Sequence, residues 1–223
     1  DYAAISEEMS NNNGASTSEY RSWLAAKAFA KTGAYDAAIA NWFAAELGET
    51  FPEQLLFGGK LKQVLRYGEN PHQEAAFYIG GQNRPGVATA EQLMGKDLSF
   101  NNLNDMDAAF ELAAEFKDRP ACAIIKHANP CGVALADDLA TAYRRALSCD
   151  TESAFGGIIA FNQEIDETTA RELVKIFVEG IIAPEINKPA RAILGAKMTC
   201  KCSKIASKSM PNPCQNAHEN RCQ

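Results

Sequence analysis

The chain has 223 residues, 46% of them hydrophobic, and a formal net charge of -6. It has enough apolar residues for the core of one large domain or two small ones, and its acidic balance excludes the basic face that binding to nucleic-acid phosphates requires. It has no apolar run of about 18 residues and no basic-then-apolar N-terminal layout, so no membrane partner is expected and the reading is cytoplasmic. Because it opens at Asp1 rather than at methionine, the chain is expected to be a piece of something longer.

The seven cysteines fall into two groups. Cys122, Cys131 and Cys149 are widely spaced, as buried thiols of a reduced compartment would be. Cys200, Cys202, Cys214 and Cys222 crowd the end near His218, but their first pair is C-x-C rather than the C-x-x-C of a zinc knuckle, and no metal is expected.

Residues 1–18 are polar and rich in Ser and Asn, which predicts a loop. Ser18 then caps a helix carrying Leu24, Ala25, Ala28 and Phe29. Gly33 is read as an interruption before a second helix over 36–47, giving a helical hairpin. The segment RYGENPHQ predicts an irregular loop, residues 75–79 a short strand, and GGQNRPG a hairpin or surface connection. Asn104 is expected to cap a helix over 105–116, with Met106, Phe110, Leu112 and Ala113 as its apolar stripe. The unbroken apolar run 121–125 predicts a buried strand. Helix over 138–147, strand over 157–161, helix over 167–178 and strand over 180–183 follow, and this alternation predicts an α/β layer structure. From about Thr199 the apolar periodicity vanishes, and disorder is expected.

Four segments could carry chemistry. In KHANPCG, Lys126 and His127 follow the buried strand directly, where loops of open α/β sheets commonly hold ligands. The pair offers a fixed positive charge for an oxyanion and a residue type that titrates near neutral pH, which suits acyl or formyl transfer. A zinc deaminase signature fails here, because Asn129 replaces the catalytic Glu and Ala134 the second cysteine ligand. In RYGENPHQ, Arg66 and Tyr67 supply a two-point anion binder and a hydroxyl on a Gly-containing loop. In LSFNNLN, Asn102 and its neighbours bring amides to a helix start, and SAFGG lets backbone approach a ligand or another chain. Each has a plain alternative: a strand end, an ordinary turn or a helix cap.

The segments LRYGENPHQ, LSFNNLNDMDAA, KHANPCGVA and SAFGGIIAFN occur here in that order. In combination they resemble the AICAR transformylase/IMP cyclohydrolase family, from about Asp1 to Lys197. The resemblance implies residues 1–50 as the end of a cyclohydrolase domain with a helical connection, and 51–198 as the first cytidine-deaminase-like unit of the transformylase domain. Residues 199–223 then remain as a tail outside the family pattern. It further implies formyl transfer from 10-formyltetrahydrofolate, as co-substrate, to the 5-amino group of AICAR. Lys126 and His127 would be catalytic, and Arg66, Tyr67 and Asn102 would bind substrate. A homodimer is implied for the family, with folate-site residues in a second unit that this chain lacks. The competing reading is a non-catalytic nucleotide-binding or dimerisation module.

Overall fold

The computed structural model describes residues 1–80, 84–197 and 201–205. They form two compact units, one built on Asp1–Lys60 and the other on Leu61–Tyr78 and the sheet-bearing part that follows.

The first unit is helical. α1 spans Tyr2–Asn11, where a loop was expected. Its Ser and Asn residues are outweighed by Ala, Glu and Met and by the absence of Gly and Pro, and the helix ends as Gly14, at φ 84, returns its N–H to the Met9 carbonyl. α2 runs unbroken over Ser18–Glu46, so the expected helical hairpin is a single helix. A lone glycine costs about 1 kcal/mol against alanine in a helix interior, too little to break a ladder of this length. The cap is Thr17 rather than Ser18: its hydroxyl accepts the Tyr20 N–H at 3.2 Å.

Strands β1 (Gly59–Val64) and β2 (Ala76–Gly80) pair with each other, and the RYGENPHQ segment joins them. RYGENPHQ is thus a hairpin connection, and the reading of GGQNRPG falls on residues 81–83, which lie outside the described part. The main sheet has six strands in the order β3-β8-β7-β6-β4-β5, with β3 at Ala90–Met94, β4 at Ala121–Lys126, β5 at Asn129–Leu135, β6 at Ile158–Phe161, β7 at Gly180–Ala183 and β8 at Lys201–Ile205. It is mixed: β6, β7 and β8 run parallel, while β3–β8, β4–β6 and β4–β5 are antiparallel.

The other helices are α3 (Phe100–Ala114), α4 (Leu139–Cys149), α5 (Glu167–Leu173) and α6 (Lys188–Lys197). The sheet is covered on both faces. Cys122, Ile124, Ile159, Phe161 and Ile181 pack with Tyr143 of α4, Leu173 of α5 and Leu194 of α6. Ala123, Ile125, Ile158, Ala160 and Ile182 alternate to the other face and meet Met106, Ala109, Phe110 and Ala113 of α3. Burial on both faces is why the central strands read as continuous apolar runs.

Three boundaries differ from expectation. α3 begins five residues before Asp105, with Ser99 as its cap, because the Ser99 hydroxyl takes the Asn102 N–H while the Asn102 side chain takes that of Ser99. α5 stops at Leu173, since Phe177 and Glu179 turn their backbone groups to Gly156 and Gly157. Lys201–Ile205, expected to be disordered, forms a strand between β3 and β7; the rest of that expectation lies outside the described residues.

Candidate functional site

Lys126 ends β4 and Asn129 opens β5, and the two residues pair across a two-residue turn made of His127 and Ala128. Instead of a loop leading from a strand to a helix, the KHANPCG segment is the tip of an antiparallel hairpin. Both turn residues have positive φ, 54 for His127 and 57 for Ala128, which is the type I′ pattern that suits the strand twist. Asn-Gly adopts it with little strain; a side chain held in this region costs on the order of 1–3 kcal/mol, and histidine tolerates it better than alanine.

The surroundings hold the turn in place. The Ala128 N–H donates to the Asp105 carboxylate at 2.8 Å, and the Asn129 side-chain amide donates to the His127 carbonyl at 2.7 Å. Lys126 Nζ donates to the Phe155 carbonyl at 2.9 Å, which uses one of the three donors of an ammonium. His127 is exposed at the tip, and Lys126 is half-buried below it.

Charges gather around this lysine. Hydrogen bonds from Ser153, side chain first and then backbone, hold the Asp150 carboxyl below the usual aspartate range, and the Lys126 charge contributes in the same direction. Burial raises the Cys131 thiol; Asp150 and Asp105 add to that rise and Lys126 opposes it. The thiol is thus kept protonated, an unreactive state. A register shift between Ile124 and Ile125 places Cys131 outside the regular pairing. The next residue, Gly132, lies so close to α4 that a Cβ there would stand 2.0 Å from the Ala146 carbonyl oxygen.

α3 links three of the four sequence motifs. At its first turn the Asn101 side-chain amide donates to the Glu69 carbonyl in the RYGENPHQ loop at 3.1 Å. Asn102, buried at the head of the apolar stripe, bonds Ser99 and donates to Glu179 at 3.3 Å. One turn on, Asp105 reaches Ala128. SAFGG joins the same neighbourhood through the bond from Lys126 to Phe155.

Within the RYGENPHQ loop, Gly68 and Gln73 bond through the backbone, and a Cβ on Gly68 would stand 2.8 Å from that of Gln73. The Arg66 guanidinium lies 5.3 Å from the Tyr67 ring centre, a stacked arrangement that leaves Arg66 exposed at the loop surface. The five expected site residues therefore sit on three segments, one of which, α3, touches both of the others.

Asp105 escaped the sequence reading. It sits beside a run of asparagines at a helix start and reads as an ordinary first-turn carboxylate, and no local spacing reports its contact with residue 128. An open depression lined by Arg171, Val174, Ala192, Ile193 and Ala196 lies between α5 and α6, on the sheet face opposite α3. It contains none of the motif residues, and chemistry favours the turn. Among the described residues, no helix is long and apolar enough to cross a membrane, and no group of three or more His, Cys, Asp or Glu side chains is placed to hold a metal ion.

Residues 1–220 match the family model described as "AICARFT/IMPCHase bienzyme". The match continues past Lys197, where the motif resemblance ends. The chain is 58% identical over 96% of its length to the bifunctional purine biosynthesis protein PurH of Parvibaculum lavamentivorans, of which it covers 40%. Against the PurH proteins of Rhizobium rhizogenes and Sinorhizobium fredii it is 54% and 59% identical, over 96% and 88% of this chain and 40% and 37% of theirs. It thus spans about 40% of the length of these relatives. With a family match over nearly all of its residues, the chain belongs to the AICARFT/IMPCHase bienzyme family.

Proposed function

We propose that this segment carries the Lys-His part of a formyl-transfer site in an enzyme of purine biosynthesis that also cyclises formyl-AICAR to IMP. The 5-amino nitrogen of AICAR attacks the formyl carbon of 10-formyltetrahydrofolate, the carbon–N10 bond breaks, and tetrahydrofolate leaves with a proton on N10. The observation that carries this reading is the tethered turn at 127–128, a strained backbone that presents a histidine next to a positioned ammonium. Strain of this kind persists only where the surroundings fix it, and it concentrates at functional sites.

In this scheme His127 accepts the amine proton and relays it towards the leaving nitrogen, while Lys126 stabilises the oxyanion of the tetrahedral intermediate. Arg66 and Tyr67 hold the nucleotide phosphate from the neighbouring loop. Asn102 serves the carboxamide side by exchanging one of its bonds to Ser99 or Glu179. Residues 1–50 correspond to the end of a cyclohydrolase domain and its connection, and 51–198 to the first cytidine-deaminase-like unit of the transformylase domain. The enzyme works in the cytoplasm as a homodimer, with a folate as co-substrate and no metal.

The second reading is a module that binds the nucleotide or dimerises without turnover. Tetrahydrofolate formation from AICAR and 10-formyltetrahydrofolate, measured with the chain and with its His127→Ala variant, decides between them. General acid–base catalysis is worth about 10²–10⁴-fold, so the variant should lose at least that factor while still binding AICAR. Saturable AICAR binding by the unaltered chain without turnover selects the module. Equal turnover in chain and variant contradicts the role of His127.

A further inference from the structure

We propose that Asp105 is a positioning residue for His127, acting by clamping the left-handed 127–128 turn through the Ala128 N–H; the inference rests on the formyl-transfer reading above. The turn does not hold itself. Both central residues carry side chains at positive φ, and alanine in particular has no local preference for that region. Something outside the turn must select it over relaxed alternatives.

Among the described residues, two side chains hydrogen-bond its backbone. Asn129 holds the His127 carbonyl, but it belongs to the hairpin and moves with it. Asp105 comes from another element, and its bond to Ala128, at 2.8 Å, is a charge-assisted one from an N–H to a carboxylate. Its helix is fixed by Met106, Ala109, Phe110 and Ala113, all at most 1% exposed against the sheet. Asp105 thus transfers the rigidity of a packed helix to a strained turn. Through Asn101, the same first turns of α3 also hold the RYGENPHQ loop, so that α3 sets the spacing between the Lys-His tip and the segment bearing Arg66 and Tyr67. A misplacement of about 1 Å in such a constellation costs about 10²-fold in rate.

The test compares the full chain with Asp105→Ala, Asp105→Asn and Asp105→Glu, by amide hydrogen exchange at Ala128 and by kcat and KM for AICAR. Asp105→Asn keeps an acceptor oxygen at the same distance and should retain both Ala128 protection and most of the turnover. Asp105→Ala should lose the protection and about 10²-fold in kcat, with KM for AICAR within about 3-fold. Asp105→Glu keeps the charge but moves the carboxylate out by one methylene, and should show the same loss; it serves as the test if the alanine variant does not fold. Ala128 protection unchanged in both Asp105→Ala and Asp105→Glu, or protection lost with kcat within 2-fold, overturns the proposal. If the unaltered chain binds AICAR without turnover, the module reading above is selected, and the exchange data alone decide whether Asp105 holds the turn.

Discussion

α2, read from sequence as a hairpin of two helices, and α3 differ sharply in what they bury. In the 29 residues of α2 only Ala37 is buried, and Phe29, Tyr35, Trp42 and Phe43 are more than half exposed. α3, with 15 residues, buries Asn102, Met106, Ala109, Phe110, Ala113 and Ala114 against β4, β6 and β7. Apolar residues at helical spacing specify the element, and only a facing surface of matching shape turns them into a core. α3 meets a sheet whose strands supply that surface, and can therefore carry functional contacts at its solvent-facing start.

The largest difference should appear on truncating one phenylalanine in each helix. Phe110→Ala removes a ring that is 1% exposed and should cost about 3–5 kcal/mol, whereas Phe29→Ala, 77% exposed, should fall within about 0.5 kcal/mol. Urea unfolding of the two variants measures both. Similar losses would mean that α2 is covered in solution, and the contrast between the helices would disappear.

Glycines give a second contrast of smaller size. Gly132→Ala drives a Cβ into the Ala146 carbonyl and should destabilise by about 1–3 kcal/mol, because backbone must move. Gly33→Ala meets nothing within 4 Å and should stabilise α2 by up to about 1 kcal/mol. Thermal melts of the two variants should therefore shift in opposite directions. A loss of stability at Gly33 would show that the interruption first expected there has a packing cause after all.

Much of the fold was legible where burial shapes the sequence. β4, β6 and β7 read correctly because both of their faces are covered, and Met106, Phe110 and Ala113 announced the face that α3 buries. β5 was missed because Pro130 and Gly132 look like loop residues. It lies at the sheet edge, where proline is tolerated, and its glycine admits α4. β8 was missed because Lys201, Cys202, Ser203 and Lys204 show no apolar pattern, and its place in the sheet rests on backbone pairing.

The site divides in the same way. Lys126 and His127 were proposed from their position after a buried strand, and the loop expected there is a hairpin tip. The family motifs directed attention to Arg66, Tyr67 and Asn102. What no local pattern contains is the tethering, in which Asn101 reaches Glu69 from 32 residues away and Asp105 reaches Ala128 from 23. Such contacts are fixed by the packing of α3 on the sheet, which is a property of the whole unit.

The claim that α3 joins these segments into one nucleotide site is tested most directly by titrating AICAR into the isotope-labelled chain and following its backbone amide signals. Signals of Arg66, Tyr67, Asn101, Asn102, His127 and Ala128 should shift together along a single saturation curve. Signals that stay fixed at saturating nucleotide, or shifts confined to the residues around Arg171 and Ile193, would contradict it.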